Sequence, residues 1–311
     1  MVDGLAILMA IPERARRGSA ANRSLAGAVM ILGTSITIQL AAATAHDLFD
    51  RLGPTGVSAL RFMLAAVILA GLARPAIRGR DAATWRAIGA YGACLAALNI
   101  TFFQAISLIP MGIAVTLAFV GPVLMALLGS RRRRDIGWAL LATAGVATLG
   151  GFDRPSSVAG VLYALAAGCA WVGVAYAGRS VGHQTQRVDG LALALPIAAL
   201  ITLPLGIGHL DALDARSLAV GIAIAVGGLI IPFALELEGL RRLEPRTVAV
   251  LYSVDPAIAA TIGFLALNEH LSAPQIVALI AVMTASAGAT ADAAATDAPT
   301  PLAGNATSAT T

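Results

Sequence analysis

Apolar residues fall in long blocks along the chain, and short polar or turn-forming stretches separate these blocks. Each block is close to the roughly 20 apolar residues that a helix needs to cross a bilayer. The alternating segments of a membrane barrel do not occur, whereas a helix satisfies its own backbone hydrogen bonds in lipid. The pattern therefore predicts an all-α polytopic membrane protein with ten transmembrane helices, at 25–45, 57–73, 87–108, 111–129, 136–151, 158–178, 190–208, 217–239, 246–267 and 273–290.

The composition indicates the same class of protein. Apolar residues make up 58% of the 311 residues, charged residues make up 12%, and the mean hydropathy is +0.82, whereas soluble domains have about 25% charged residues. The two cysteines, Cys94 and Cys169, lie in apolar stretches without a second metal-type ligand at useful spacing. They are interpreted as small hydrophobic residues, and neither a metal nor a cofactor is predicted.

The placement of arginine predicts the orientation in the membrane. All 21 basic residues are arginine, and with the N-terminus inside only Arg51, Arg61, Arg154 and Arg216 fall on the outer side. Because basic residues concentrate in cytoplasmic loops, both termini are expected in the cytoplasm of a bacterial inner-membrane protein. This placement explains the basic charge without a nucleic-acid partner. Residues 1–24 are expected to form a basic cytoplasmic segment, and 291–311 a disordered cytoplasmic tail.

The two halves of the chain share a sparse internal repeat. A shift of 133 residues places Gly27 over Gly160, and a shift of 134 places Pro122 over Pro256. Five spans per half is an odd number, so the second copy enters the membrane from the opposite side. The prediction is two inverted five-helix repeats, at 25–151 and 158–290, with a substrate site at their interface near the midplane.

Two proline positions predict interruptions in matching spans. Gly121-Pro122 lies near the middle of the fourth span, and Asp255-Pro256 lies at the matching place in the ninth. Proline removes a backbone donor and clashes with the preceding turn. Paired breaks point to a binding site, and the alternative is a pair of packing kinks without ligand contact.

Ionisable residues within spans are few, and a charge in a bilayer tends to be functional. Asp255 is a candidate for carrying a proton or binding a substrate amine, or else it caps a broken helix. Glu236 is a candidate for lining the cavity, and Glu238 is expected to pair with Arg241 or Arg242. Arg61 either extends to the outer surface or holds a carboxylate.

Neutral polar residues complete the candidate set. Those that could line a wet path are Gln39, Asn99, Gln104, Tyr176, Tyr252 and Ser253. Hydrogen bonds between helices are the alternative use of such groups. The pairs His46-Asp47 and Glu269-His270 are interpreted as surface groups at the outer interface.

Several stretches of the sequence share a family pattern. They are Arg61 to Ala66, Ile109 to Val115 leading to Gly121-Pro122, Leu127 to Ser130, and Pro232 to Leu243. These stretches resemble the drug/metabolite transporter superfamily, and most closely its EamA-type threonine and homoserine exporters. Ser253-Val254-Asp255-Pro256-Ala257 resembles the family's Ser-Leu-Glu-Pro-Ala, and Asn268-Glu269-His270-Leu271 resembles its Gly-Glu-His-Leu.

The resemblance implies a ten-helix fold of two inverted repeats and proton-linked or exchange-type efflux of amino acids. The residue at Asp255 departs from the family's glutamate by one methylene, so the charge stays while the reach changes. Motifs of membrane enzymes and phosphate-binding loops do not occur in the sequence.

The sequence thus predicts a secondary active transporter, not an enzyme, that exports a small polar metabolite such as threonine or homoserine. A gated channel, or an exporter of another metabolite or of a drug-like compound, stays open as the alternative. The predicted partners are a small-molecule substrate and the lipid bilayer, and a homodimer is left open.

Overall fold

The computed structural model describes residues 20–123, 157–185 and 188–294, together with six residues between 137 and 145. These residues form helices and connecting turns, and no strand occurs among them. The α-helices are α1 Ala20–His46, α2 Phe49–Ala73, α3 Ala82–Ile106, α4 Met111–Ala118, α5 Val158–Gln184, α6 Asp189–Gly206, α7 Ala215–Ala225, α8 Ile231–Leu240, α9 Pro245–Tyr252, α10 Asp255–Leu267 and α11 Ala273–Ala294. A 3₁₀ turn at Ile207–Ala212 leads into α7, and a π-helical turn at Val226–Ile230 joins α7 to α8.

Seven helical segments of the described residues are long and apolar enough to cross a membrane, which confirms a polytopic all-α protein. They are Asn22–His46, Phe49–Ala73, Ala82–Ile106, Val158–Gln184, Asp189–Gly206, Ala215–Leu240 and Val250–Leu267. Two shorter apolar helices, Met111–Val123 and Ala273–Gly288, match two further predicted spans. The remaining predicted span, 136–151, lies largely outside the described residues, as do most of the basic N-terminal segment and the C-terminal tail. The total of ten helices therefore stays a prediction.

Short polar side chains begin several of these helices. The Asp81 carboxylate accepts a hydrogen bond from the Thr84 backbone N–H at 2.8 Å, and the Asp214 carboxylate accepts one from the Ser217 N–H at 2.7 Å. Each satisfies a donor that the first helical turn leaves free. The same hydrogen bonds lower the pKa of each carboxyl group, and Arg51, 2.8 Å from Asp214, lowers that of Asp214 further.

Helix α2 begins earlier than the apolar pattern predicts. The chain is helical from Phe49, whereas the predicted span begins at residue 57. Gly53 interrupts the helix with a φ of 64°, and Pro54 follows it inside the helix. Glycine adopts this left-handed φ without steric cost, so α2 has a kink at Gly53-Pro54.

The helices pack in pairs from opposite halves of the chain. Contacts are most extensive between α3 and α5, between α2 and α6, between α1 and α8, and between α3 and α6, and α4 also packs against α10. Glycines allow some of these approaches: a Cβ on Gly92 would lie 2.7 Å from the Ala194 carbonyl oxygen, and one on Gly112 would lie 2.8 Å from Ala260. Large apolar side chains such as Val67 and Leu265 lie on the outside, where lipid is the solvent.

Candidate functional site

The centre of the site is a break between α9 and α10. Helix α9 ends at Tyr252, Ser253 and Val254 form a turn, and α10 begins at Asp255 with Pro256 in its first turn. Proline is tolerated at this position because the first-turn N–H groups have no helical partner. The break brings the Asp255 carboxyl to the positive end of the α10 dipole.

Asp255 is buried within the membrane-spanning part of the protein. Its side chain interacts with the Ser35 hydroxyl of α1, and its Oδ1 atom has no hydrogen-bond partner among the described residues. Ser253 beside it is also buried, and its hydroxyl donates to the Val250 carbonyl at 2.6 Å. One carboxyl oxygen of Asp255 is therefore left for a proton or another donor.

A second carboxyl group lies within electrostatic range of Asp255. Glu236 of α8 accepts a hydrogen bond from the Tyr252 hydroxyl through its Oε1 atom at 2.6 Å. Glu236 is also close enough to Asp255 for the two carboxyl groups to interact electrostatically. Because two neighbouring carboxylates repel one another, such a pair favours a shared proton or a bound cation.

Arg61 of α2 lies inside the bundle. Its side chain is buried, its Nη2 atom donates to the Gly228 carbonyl, and its guanidinium carbon lies 5.5 Å from the centre of the Phe103 ring. The interpretation that Arg61 extends to the outer surface is wrong. These contacts hold the guanidinium inside the bundle, where Arg61 is only 6% exposed.

Gln39 and Asn99 are two further buried polar residues. The Gln39 side chain is 3% exposed and that of Asn99 is 8% exposed. Six buried side-chain atoms lack a partner among the described residues, and four of them belong to Gln39, Arg61, Asn99 and Asp255. Buried polar groups are usually hydrogen-bonded, so a concentration of unpartnered ones among the predicted site residues is typical of a ligand site.

The remaining predicted residues are Gln104, Tyr176, Gly121 and Pro122. Gln104 is half-buried near the end of α3. Tyr176 is 64% exposed on the outside of α5, so the structure does not bring it to the others. Gly121 and Pro122 lie in a helical segment after a turn at Phe119. Gly121 touches the backbone of Gly168 in α5, where a Cβ would overlap the Gly168 carbonyl.

Comparison with known proteins identifies the family. The EamA-like transporter family matches residues 158–290. The threonine/homoserine exporter RhtA of Salmonella typhimurium (strain LT2) is 37% identical over 270 residues, which cover 84% of this chain and 90% of that protein. RhtA of Escherichia coli (strain K12) is 36% identical with the same coverage. The chain belongs to the EamA-like transporter family.

Membership in this family confirms the resemblance to the drug/metabolite transporter superfamily. A crystal structure that is 23% identical aligns over 90% of this chain and 100% of its own, with a TM-score of 0.58, and this likeness concerns the fold alone. The apolar helices and the family together identify a multi-pass transporter of the bacterial inner membrane.

Two acidic groups of this EamA-like transporter lie outside the buried cluster. Glu238 forms ion pairs with Arg241 at 3.2 Å and with Arg242 at 2.6 Å, as the helical spacing predicts. The surface interpretation of Glu269 is wrong, because both of its carboxyl oxygens accept from the Met111 backbone N–H, at 3.0 and 2.9 Å. Burial raises the pKa of Glu269, and the Met111 hydrogen bond partly offsets the rise.

Sequence reasoning missed this contact of Glu269 because it joins residues 158 positions apart. The start of α4 is the feature of the sequence that could have indicated this contact. Pro110 precedes α4 and has no side chain that could cap its N–H groups, so the cap has to come from another part of the chain. Among the described residues no group of three or more His, Cys, Asp or Glu side chains could hold a metal ion.

Proposed function

We propose that this protein is a secondary active transporter that exports a small polar amino acid such as threonine or homoserine. The proposed mechanism is proton antiport or exchange. The relatives support the substrate class, since proteins 36–37% identical over most of the chain are threonine/homoserine exporters. The observation that carries the mechanism is Asp255, a buried carboxyl group at a broken helix with one oxygen unpartnered.

The packing of the helices supports two inverted repeats. Gly27 of α1 packs against Leu243, and Gly160 of α5 packs against Ile109. A shift of 133 residues relates Gly27 to Gly160, and a shift of 134 residues relates Ile109 to Leu243. The two contacts are therefore equivalent, with the halves of the chain exchanged. In the same way, α3 packs on α5 as α8 packs on α1. A two-fold axis in the membrane plane relates such pairs, and ten helices at 25–151 and 158–290 would follow from it.

The two proposed repeats differ at the site itself. Ser35 and Asp255 interact in one half of the arrangement, and the same shifts relate them to Gly168 and Gly121. In the second pair the two glycines bring the helix backbones into contact. The polar pair Ser35–Asp255 therefore corresponds to a closely packed pair of glycines in the other half of the arrangement. This difference supports a coupling acid in only one of the two proposed repeats.

In the proposed cycle Asp255 is protonated when it faces the outside and releases the proton to the cytoplasm. The deprotonated carboxylate favours the substrate ammonium group, so proton and substrate occupy the site in turn. Glu236, held by the Tyr252 hydroxyl, adds negative charge that favours either cation. The proposal includes cytoplasmic termini at both ends of the chain and leaves a homodimer open.

The test is pH-gradient-driven uptake of threonine into inverted vesicles at equal protein levels. Asp255→Asn keeps the shape of the side chain and removes its charge, so we expect loss of net transport. Asp255→Glu is expected to keep partial activity. Glu238→Gln is the matched control, because its ion pairs lie near the helix end and such pairs contribute under about 1 kcal/mol.

If Asp255→Asn transported threonine at the wild-type rate and with the wild-type pH dependence, Asp255 would not be the coupling acid. Its role would then be to cap the broken helix. Glu236 would then be the leading candidate for the coupling acid. A carrier of this kind also has to work without ATP while the proton gradient is clamped. Transport that stops when ATP alone is removed would contradict the secondary-carrier assignment.

A further inference from the structure

Arg61 is a buried cation without a counter-charge in the described part of the chain. No carboxylate there lies within ion-pair distance of it, whereas Arg51, Arg80, Arg241 and Arg242 each pair with one. A charge in the bilayer interior is costly and is usually paired. The described part of the protein thus gives this guanidinium no counter-charge. An anionic group of a bound ligand would supply it.

The surroundings of Arg61 fix the guanidinium in one position. Its Nη2 atom donates to the Gly228 carbonyl in the π-helical turn, and the Phe103 ring lies beside it at 5.5 Å. A Cβ on Gly228 would lie 2.8 Å from the Arg61 Nη2 atom, so glycine is needed for this approach. The Nε atom has no partner among the described residues. Such π turns are frequent at functional sites.

Arg61 and Asp255 are both linked to α1. Ser35 of α1 interacts with Asp255, and Ala41 of α1 contacts Gly228, whose carbonyl accepts from Arg61. An α-amino acid carries one ammonium and one carboxylate group, so a buried carboxyl group and a buried guanidinium are complementary to its two charges.

We infer that Arg61 binds the α-carboxylate of the exported amino acid through its unpartnered Nε–H group. The inference rests on the proposed function and adds a selection rule: a substrate needs a free carboxylate. Gln39 and Asn99 are also buried, and the unpartnered side-chain oxygen of each can accept a hydrogen bond.

The experiment is threonine counterflow in proteoliposomes with unlabelled threonine, threoninamide or threoninol as competitor. For the wild type, we expect both carboxylate-free competitors to be about ten- to hundredfold weaker than threonine, as expected for the loss of hydrogen bonds to a charged group. Arg61→Gln should bind threonine more weakly and lose this discrimination. Arg61→Lys should keep part of it, because the charge remains without the planar fork.

The matched control is Arg51→Gln, which removes an exposed arginine near the start of the same helix. It should retain the wild-type discrimination. Equal competition by threonine and threoninamide in the wild type would overturn the inference, and so would wild-type discrimination in Arg61→Gln. A wild-type protein that does not exchange threonine at all would instead overturn the proposed function.

A second measurement requires no variant. Threonine should raise the thermal unfolding temperature of the detergent-purified wild-type protein, because a ligand that binds the native state stabilises it. Threoninamide at the same concentration should produce a much smaller rise. Equal rises with both compounds would count against a carboxylate site, even if Arg61→Gln failed to fold.

Discussion

Two glycines three residues apart in α3 allow a matched test of the helix packing. A Cβ on Gly89 would meet nothing within 4 Å, whereas one on Gly92 would lie 2.7 Å from the Ala194 carbonyl oxygen and 2.9 Å from the Ile197 Cβ. Gly89→Ala should stabilise the protein by about 1 kcal/mol, the helix-propensity difference between the two residues. Gly92→Ala gains the same propensity, but α3 and α6 have to separate by several tenths of an ångström.

Overpacking of this kind costs about 1–3 kcal/mol. We therefore expect Gly92→Ala to unfold at a lower temperature than Gly89→Ala, by about 2–4 °C for each kcal/mol of difference. Thermal unfolding of the two variants in the same detergent measures the difference. A Gly92→Ala protein as stable as Gly89→Ala would refute the close approach of α3 to Ala194.

Two further predictions concern Glu269 and the topology. Since burial raises the pKa of Glu269, the free energy of unfolding should fall as the pH rises above its ordinary value of 4.5. Glu269→Gln should remove this fall, which thermal unfolding measured at a series of pH values above 4.5 would test. If the unfolding temperatures of the variant and the wild type changed in parallel with pH, the prediction would be contradicted. Reporter fusions after Arg80 and Arg242 should report the cytoplasm and one after Leu213 the periplasm. Periplasmic signals at both arginines would exclude the predicted orientation.

Hydropathy identified the membrane class because lipid requires long apolar segments. It could not locate the start of α2, since Phe49 to Gly56 mixes polar, charged and apolar residues and the helix is interrupted at Gly53. The burial of Arg61 depends on its contacts with Gly228 and Phe103, which belong to other elements and which the apolar pattern does not predict.

The side of a helix on which a polar residue lies was also hard to predict. In a bilayer both the outside and the interior of the bundle are apolar. The apolar pattern therefore does not show which side of a helix faces lipid and which side faces the interior of the bundle. Tyr176 was expected on a wet path and lies outside on α5, where aromatic rings are tolerated in the interfacial region. Asp255 was easier to single out because a carboxyl group next to a helix-breaking proline has few structural uses.

The π-helical turn at Val226–Ile230 has a consequence for the rotation of α8. Such a turn holds one more residue than an α-helical turn, and each residue rotates an α-helix by about 100°. Deleting one residue from this turn would therefore swing every side chain of α8 by about that angle around its axis. Glu236 would leave the Tyr252 hydroxyl, and the Pro232 carbonyl would leave Thr34, which now donates to it at 3.3 Å. The extra residue thus sets the rotation of α8 that keeps Glu236 at the Tyr252 hydroxyl.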